Sequence, residues 1–554
     1  MKTLTKVGLA VLSGLLIAAA WPVRGLAPLA FVAFVPLLFL EDKYYSFWIS
    51  SIAFLVWNTL TTWWVWKTTA VGTIGMIVLN TLFMTCVFWA YHFVKTRLYD
   101  NKKGYYILII FVLAFEYLHL NWQLNWPWLN LGNVFSHYHT WVQWYEFTGI
   151  GGGTVWVLLA NILIYRYLFA GDLFACGECF RFAQVSATLR FARNDDTSNS
   201  SFRAQRSGVK KSLAIIIFCV LFIPLIISKI LYVCYDERGD AVEIVVVQPN
   251  LDPYSEEFTL TPKQIMERNL SVAAPLVTEN TRFVVSPESA IQEDVWLNKI
   301  DNYYSIKELR RFADNNPQTC YVIGISTLGL VPEGEENDFA ARRFTNVDKY
   351  FYAYNTAALI TKDSILLYHK SKLTPGAEAM PSWWILRMLK DSAIDLGGTV
   401  GTLKKDTEAR TLSFDNHKVG TLICYESVFG EYVTEFVKNG ADMLFVITND
   451  GWWGNSPGHK QHLEFSKLRA IETRRSVARS ANTGISGFIN QRGDIIEQSK
   501  YWEQTALRNT LKTNDKLTFY VRYGDYIYKI SVFLTALLVS LTIVKLILKK
   551  GWKN

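Results

Sequence analysis

TLICYES, residues 421 to 427, is a β-branched, apolar run that ends in a cysteine followed by a tyrosine and a glutamate. Six further runs of this kind lie between Ala241 and Asp450, and each ends in polar or turn residues. Several of them are separated by helical patterns, at 261–277, 306–313 and 459–473. This alternation predicts an α/β domain with buried sheets, in which functional groups gather at the strand ends.

The rest of the chain has the composition of a membrane protein. Of its 554 residues, 51% are hydrophobic and only 19% are charged, and the charged residues are concentrated in the second half. A helix needs about 20 apolar residues to cross the hydrocarbon core of a bilayer. Stretches that reach or approach this length predict eight transmembrane helices, at 7–21, 26–40, 45–66, 71–94, 105–120, 153–170, 213–235 and 526–548.

The distribution of Lys and Arg predicts the orientation of these helices, because both residue types are retained on the cytoplasmic side. If the N-terminus is inside, the opposite loops hold only Arg24 and Lys67 as cations. The domain at 240–522 then lies outside the cytoplasm, and 549–554 forms a cytoplasmic tail. The cytoplasmic side holds Lys2, Lys6, Lys43, Lys95, Arg97, Lys102, Lys103, the cations of 166–211, Lys545, Lys549, Lys550 and Lys553.

Charge and cysteine usage exclude several classes of protein. The net charge of +8 comes mostly from these inward-facing cations, which favours anionic lipid headgroups over nucleic acid as a partner. The seven cysteines are scattered and odd in number, so they do not form a disulfide framework. Cys176 and Cys179 form a lone CxxC without a second ligand pair, and no metal site is predicted there.

Three segments of the membrane part leave alternatives open. Residues 1–20 also fit a cleaved secretory signal peptide, although we favour a retained first helix in a membrane domain at 1–235. The polar, Arg-rich stretch at 181–211 predicts a disordered cytoplasmic insertion, at about 180–211. The loop at 121–152 is rich in aromatics, has no Lys or Arg, and fits either an aromatic belt at the membrane interface or the wall of a lipid-accessible cavity.

Three predicted strand ends carry reactive side chains, namely Glu288, Lys370 and Cys424. Cysteine is a strong nucleophile only as the thiolate, which needs a base or a nearby cation to form. A glutamate can take the proton, and a lysine can stabilise the thiolate and then the oxyanion of an attacked carbonyl. These residue types together suffice for acyl transfer or amide cleavage, although spacing alone would not select them from the many other Glu and Lys residues.

The motifs around these residues resemble the nitrilase superfamily. They are SPESA at Glu288, YHKSKLTPGAE at Lys370 and ICYES at Cys424, in that order. Together with eight predicted spans, the last of which follows the domain, they make the chain similar to the apolipoprotein N-acyltransferase family. The resemblance implies an extracytoplasmic αββα sandwich at 240–522, with Glu288 as general base, Lys370 as oxyanion stabiliser and Cys424 as nucleophile.

The resemblance also implies supporting residues. Glu378 would orient the lysine or the thiol, and its spacing favours Lys370 over Lys372 as the catalytic lysine. Tyr425 and Glu426 match two positions on which the family relies, although Glu426 also fits a structural hydrogen-bond acceptor. Two departures stand out: TPGAE replaces the family's usual Val-Pro-Phe-Gly-Glu, and no Trp follows the QPN strand, where the nearest aromatics are Tyr254 and Phe258.

Further aromatic residues are candidates for lipid access. Trp383 and Trp384 begin a short apolar patch that predicts either an amphipathic arm dipping into the membrane interface or a part of the core. Trp452 and Trp453 lie in TNDGWWGNSPGHKQH, which matches another segment of the family. His459 and His462 in that segment lack a supporting carboxylate at matching spacing, so capping or packing is favoured over metal binding.

The implied function is N-acylation of lipoproteins. Cys424 would take an acyl chain from a membrane phospholipid, with phosphatidylethanolamine as the expected donor, and pass it to the α-amino group of a diacylglyceryl-cysteine at the N-terminus of an apolipoprotein. No metal or other cofactor is required, and a monomer in a bacterial inner membrane, with its catalytic domain in the periplasm, is expected. The alternatives are a membrane-tethered amidase or nitrilase and a catalytically inactive scaffold that binds lipids or lipoproteins.

Overall fold

The computed structural model describes residues 1–23, 25–99, 103–169, 198–257, 259–379 and 402–551. The helices of the first part and the C-terminus are α1 Thr3–Ala20, α2 Val35–Tyr44, α3 Phe47–Thr62, α4 Ala70–Leu98, α5 Tyr106–Asn121, α6 Tyr145–Phe169, α7 Ser198–Cys234 and, after the soluble domain, α13 Tyr526–Gly551. Five of these, α1, α4, α6, α7 and α13, contain apolar segments long enough to cross a membrane. Several apolar helices at the N-terminus thus form a membrane domain, whereas the count of eight spans stays a prediction.

The second predicted span is wrong as a continuous helix. Residues 27–31 form a short 3-10 helix, and α2 begins only at Val35 and has 10 residues. Pro28 and Pro36 explain the break, because proline lacks an N–H group and clashes with the preceding turn inside a helix, but is tolerated in the first turn. Each of them lies in the first turn of its own short helix.

The structure corrects two further boundaries. The predicted third span is a 16-residue α-helix, α3, that continues into a 3-10 helix at Trp63–Lys67. The prediction of disorder up to Lys211 is wrong for its last part, because α7 begins at Ser198. Once the apolar segment of α7 has nucleated a helix, each preceding residue adds a hydrogen bond at little further cost, so the helix extends into polar sequence. Residues 170–197, which include the rest of that segment with Cys176 and Cys179, lie outside the described residues.

The soluble part contains two sheets. Their strands are β1 Ala241–Gln248, β2 Thr281–Val285, β3 Ile291–Trp296, β4 Cys320–Leu330, β5 Arg342–Arg343, β6 Tyr350–Ile360, β7 Ile365–His369, β8 Leu412–Phe414, β9 His417–Ile423, β10 Met443–Thr448, β11 Val477–Ala481, β12 Gly487–Ile489, β13 Ile495–Gln498 and β14 Thr505–Lys512. The first sheet has eight strands in the order β14-β1-β2-β4-β6-β5, with β3 beside β4 and β7 beside β6, and the second has six in the order β13-β12-β11-β10-β9-β8.

The two sheets pack face to face, with helices on both outer faces. Side chains of β1 and β2, such as Val246 and Phe283, share one buried apolar cluster with Leu422 of β9 and Phe445 of β10. The helices of this part are α8 Pro262–Ala273, α9 Tyr304–Asn315, α10 Gly430–Lys438, α11 Pro457–Thr473 and the short α12 Phe519–Tyr523. The opposite face of the first sheet packs against α8 and α9, and α10 and α11 cover the second sheet. This is the predicted αββα sandwich.

The αββα domain is joined to the membrane domain by buried polar contacts. Arg474, which follows α11, donates to Glu146 Oε2 at 2.7 Å and to Gln143 Oε1 at 2.7 Å. Gln461 of α11 accepts a hydrogen bond from Trp128 Nε1 at 2.7 Å. Such contacts fix α11 against the aromatic-rich loop at 121–152, called here the aromatic loop. Groups from both domains can therefore form one site.

Candidate active site

The centre of the site is Lys370, which directly follows β7. Its Nζ donates to Glu288 Oε1 at 2.9 Å and to Glu378 Oε1 at 2.8 Å, and its side chain is 1% exposed. Burial alone would lower the pKa of Lys370, but the two carboxylates outweigh it and hold that pKa well above its usual value. Burial likewise opposes ionisation of Glu378, yet Lys370 keeps the pKa of this carboxyl below its ordinary range. The structure therefore brings Glu288, Lys370 and Glu378 together as a buried cation between two carboxyl groups.

One asparagine side chain and two backbone N–H groups, none of them predicted, hold the carboxylates in place. Asn355 Nδ2 donates to Glu288 Oε1 at 2.8 Å and to Glu378 Oε1 at 3.0 Å. The backbone N–H of Asn449 donates to Glu288 Oε2 at 3.0 Å, and that of Thr374 donates to Glu378 Oε2 at 2.8 Å. Because each carboxylate oxygen has a partner, the glutamates are fixed around Lys370.

Cys424 directly follows β9 and begins a 3-10 helix, Cys424–Val428. Its backbone φ of +50° is unusual for a residue with a side chain, and such strain is concentrated at functional sites. Burial and the nearby Glu288 carboxylate raise the pKa of the thiol well above its ordinary value, and Lys370 acts in the opposite direction. The resting thiol is therefore protonated at neutral pH, and a base must take its proton when it reacts.

A buried polar network lies behind the thiol. His462 Nε2 and Ser427 Oγ lie 3.1 and 2.8 Å from the carbonyl oxygen of Cys424. His462 Nδ1 lies 2.9 Å from Asp450 Oδ1, and Arg479 donates to Asp450 Oδ2 at 2.5 Å. The network holds the strained backbone of Cys424, a role that sequence reasoning missed.

His462 and His459 have different partners and do not form a pair of metal ligands. One ligand atom of each of Cys424, Asp450 and His462 lies within 4.8 Å of the others. However, both Asp450 oxygens already have partners in Thr448, His462 and Arg479, so the carboxylate is already occupied. His459 stacks on Tyr501 with ring centroids 4.4 Å apart, which is a packing role.

Glu426 connects the two strand ends that carry Cys424 and Lys370. Its Oε1 accepts from the Tyr368 hydroxyl at 2.6 Å and from the Ser371 N–H at 2.7 Å, and its Oε2 accepts from the Ile423 N–H at 2.8 Å. Burial raises the pKa of Glu426 to about 7, and these donors oppose that rise. In this structure Glu426 fits the role of a structural acceptor.

Tyr425 and Lys372 face other partners. The Tyr425 hydroxyl donates to the carbonyl oxygen of Asn125 in the aromatic loop at 3.0 Å, so this residue ties the nucleophile's turn to the membrane domain. The Lys372 ammonium lies over the rings of Phe429 and Tyr432, 5.5 and 5.3 Å from their centroids. Lys372 therefore takes no part in the cluster around Lys370.

A cavity of about 310 Å³, called here the outer cavity, joins Cys424 to the membrane domain. It runs between the turn that bears the thiol, the loop before Glu378 and one face of α4, and its wall is mostly apolar. The aromatic loop supplies Leu124, Asn125, Trp126 and Trp128, which favours the cavity-wall alternative for that loop. The other lining residues are Trp64, Val65, Thr68, Thr69, Val71, Gly72, Gly75, Met76, Leu79, Asn80, Phe83, His119, Thr374, Pro375, Gly376, Ala377, Tyr425 and Trp453.

The predicted lipid-access tryptophans have different positions. Trp453 lines the outer cavity and packs on Trp64, with ring centroids 4.9 Å apart. Trp452 packs edge-on against Tyr254, whose hydroxyl donates to the Trp452 carbonyl oxygen at 2.8 Å. Trp383, Trp384 and Phe258 lie outside the described residues.

An αββα domain with Glu, Lys and Cys at its strand ends, attached to apolar helices, has the fold of a membrane-bound carbon-nitrogen hydrolase. Comparison with known families agrees: residues 13–163 match the apolipoprotein N-acyltransferase N-terminal domain, and residues 319–514 match the carbon-nitrogen hydrolase family. The chain is thus similar to apolipoprotein N-acyltransferases in both of its parts.

Individual relatives show how far the similarity extends. The chain is 26% identical over 540 residues to the apolipoprotein N-acyltransferase of Chlorobaculum tepidum, covering 94% of this chain and 93% of the relative. It is 25% identical over 541 residues to that of Geobacter metallireducens, covering 93% and 91%. Among solved structures, Nit3 of Saccharomyces cerevisiae, a nitrilase-superfamily member, covers 50% of this chain and 91% of its own, with 16% identity and a TM-score of 0.34.

Proposed function

We propose that this protein is an apolipoprotein N-acyltransferase that carries an acyl chain on Cys424 as a thioester. The observation that carries the proposal is the outer cavity, which connects the thiol directly to α4 of the membrane domain. An apolar channel between a nucleophile and a membrane helix fits an acyl chain, because such a chain is stabilised only where its methylenes are removed from water.

In the first half-reaction the thiol of Cys424 attacks the carbonyl carbon of a phospholipid ester. Glu288 takes the thiol proton, and Lys370 stabilises the oxyanion of the tetrahedral intermediate. The carbon–oxygen bond to glycerol then breaks, and Glu288 returns the proton to the departing alkoxide. The products are an acyl thioester on Cys424 and a lysophospholipid, with the sn-1 ester as the proposed site of attack.

In the second half-reaction the α-amine of an N-terminal diacylglyceryl-cysteine attacks the thioester carbonyl. Glu288 accepts the proton of the attacking nitrogen, the carbon–sulfur bond breaks, and the thiolate recovers a proton from Glu288. The product is an amide-linked acyl chain on the lipoprotein. Atoms and charges balance without a metal or nucleotide, so the residues around Lys370 supply all the groups that the exchange requires.

The finer assignments belong to the same proposal. Both substrates are anchored by acyl chains, so the site has to lie at a bilayer surface, and the Lys and Arg distribution supports the periplasmic face of a bacterial inner membrane. Phosphatidylethanolamine is the proposed donor, and the enzyme is proposed to act as a monomer. A soluble amide or nitrile would not need an apolar cavity that reaches Gly75 and Leu79 of a membrane helix.

Intact mass spectrometry tests the proposal. Purified protein incubated with phosphatidylethanolamine should gain the mass of one acyl group. When a diacylglyceryl-cysteine peptide is then added, the protein should lose this mass and the peptide should gain it. Cys424→Ser should form no adduct, whereas Cys86→Ser, which removes an exposed thiol elsewhere, should behave as the parent protein. A membrane-tethered amidase would release ammonia from small amides and form no lipid adduct, and an inactive scaffold would form no adduct of any kind.

A further inference from the structure

A second, smaller cavity lies next to the outer cavity, inside the membrane domain. It has a volume of about 40 Å³ and is called here the inner cavity. His119 and Trp126 line both cavities, so the two are neighbours that share part of a wall. The inner cavity is lined by Phe34, Phe54, Trp57, Met84, Val87, Phe88, Leu108, Val112, Phe115, Glu116, His119, Trp126, Leu129, Asn130 and Leu131.

The two cavities follow one face of α4. Gly72, Met76 and Asn80 line the outer cavity, and Met84 and Phe88 line the inner one. Successive members of this series are four residues apart, and residues at that spacing lie on the same side of a helix. The inner cavity is therefore the continuation of the outer cavity, further along α4 and away from Cys424.

Helix α5 forms the facing wall in the same manner. His119, Phe115, Val112 and Leu108 are three or four residues apart and all line the inner cavity, while His119 also reaches the outer one. Glu116 lies on this face as well, but its Oε1 accepts from the Leu131 N–H at 2.7 Å, and its Oε2 accepts from Thr154 Oγ1 at 2.8 Å. The carboxylate is thus satisfied, and the surroundings remain suited to an apolar guest.

Phe83, His119 and Trp126 form the boundary between the two cavities, called here the partition. The ring centroids of Phe83 and His119 are 6.2 Å apart, and Phe115 supports His119 from the inner side at 4.7 Å. The His119 ring is also hydrogen-bonded to the backbone of Trp126, so ring packing and one polar contact hold the partition together.

The distances match an acyl chain. From Gly72 to Phe83 the helix rises about 17 Å, and to Phe88 about 24 Å, at about 1.5 Å per residue. One leaflet of a bilayer contributes about half of a hydrocarbon core that is about 30 Å thick, and an acyl chain fills that leaflet. The part of the outer cavity that follows α4 up to the partition is thus about as long as an acyl chain in one leaflet.

We propose that the inner cavity receives the last methylenes of the acyl chain carried by Cys424 and that the partition sets the preferred chain length. The inference rests on the proposed acyltransferase function and adds to it a site that selects among acyl donors. A chain that ends before the partition gains nothing from the inner cavity, whereas a longer chain fits only as far as the partition and the inner cavity admit it.

Filling and opening the inner cavity test the proposal in opposite directions. The measured quantity is the ratio of adduct formation from octadecanoyl and dodecanoyl phosphatidylethanolamine in detergent micelles, followed by intact mass. Val87→Phe and Val112→Phe fill the inner cavity from α4 and from α5, and each should lower this ratio by about fourfold for every methylene that loses its site. His119→Ala widens the partition and should raise the ratio.

Val78→Phe provides the matched control, because it adds the same volume to α4 at a side chain that is 55% exposed and lines neither cavity. The ratio should stay at the parent value in this variant. If Val87→Phe and Val112→Phe both leave the ratio unchanged, the chain-length role is refuted. If these two variants are inactive with every donor, His119→Ala decides, and an unchanged ratio in that variant refutes the role. Absence of any adduct from the parent protein with either donor would instead refute the acyltransferase proposal itself.

Discussion

Asn355→Asp should make acyl-adduct formation fall as pH rises, because it places a third carboxyl against Glu288 and Glu378. The amide nitrogen that it replaces lies 2.8 and 3.0 Å from oxygens of these two residues. Two unit charges 4 Å apart interact by about 4 kcal/mol at an effective dielectric constant of about 20. Two such repulsions, less one attraction to Lys370, leave about 4 kcal/mol against ionising the new carboxyl.

This penalty equals about 3 pKa units and raises the pKa of the new carboxyl from about 3.9 to about 7. Below that pH the group is neutral and can still donate one hydrogen bond to a glutamate. Above it, the ionised group repels both glutamates and competes for Lys370. The rate relative to the parent protein should therefore be constant at low pH and fall about tenfold per pH unit above about 7, since the active fraction is the protonated one.

The assay is the initial rate of adduct formation from phosphatidylethanolamine between pH 5.5 and 9, in roughly half-unit steps around the expected pKa. Asn355→Ala is the matched control, because it loses both hydrogen bonds to charged groups without adding a charge. Its rate relative to the parent should be lower by about 10²- to 10⁴-fold at every pH, since each of the two lost bonds contributes about 1.5–3 kcal/mol. An Asn355→Asp ratio that is independent of pH, or that rises with pH, would refute the electrostatic reasoning.

Two further variants test the electrostatics of the site and the junction between the domains. Glu288→Gln should speed alkylation of Cys424 by iodoacetamide at pH 8, because it removes the carboxylate that raises the pKa of the Cys424 thiol. Labelling of Cys424→Ser gives the background from other cysteines, and labelling of Glu288→Gln at or below the parent rate would contradict the reasoning. Arg474→Met should destabilise the protein by about 3 kcal/mol, because it leaves the partly buried Glu146 without its cation. Thermal unfolding in detergent should show the loss, which the exposed Arg522→Met should not share.

Much of the fold could be predicted from sequence because its signals are local. Apolar length identified the candidate spans, and β-branched runs ending in turn residues identified seven of the fourteen strands in the described part of the chain. The prediction failed at 26–40, where one apolar stretch contains two prolines. Hydrophobicity does not register the backbone N–H group that proline lacks, so it does not detect a break in the helix. It also failed at Ser198, where a helix extends from its apolar segment into polar sequence.

Asn355 shows why part of the site escaped the sequence. It lies inside β6, and no motif surrounds it; the antiparallel pairing of β6 with β7 brings its backbone carbonyl oxygen within 2.8 Å of the Lys370 N–H. An asparagine in the middle of an apolar strand is disfavoured, and this was the one local signal that could have marked it. His462 is similar, since only the tertiary structure places its ring beside the carbonyl group of Cys424.

The sequence by itself determined the two-part architecture and, through motifs that resemble a known family, the prediction that Glu288, Lys370 and Cys424 react, because hydrophobic length, strand period and short motifs are properties of neighbouring residues. Tertiary structure decided what surrounds them. Sheet register sets Asn355 beside both glutamates, helix packing opens the outer cavity between Cys424 and α4, and α5 closes the partition at His119. These contacts join residues far apart in the chain, and long-range packing, unlike periodicity, leaves no pattern in a single sequence.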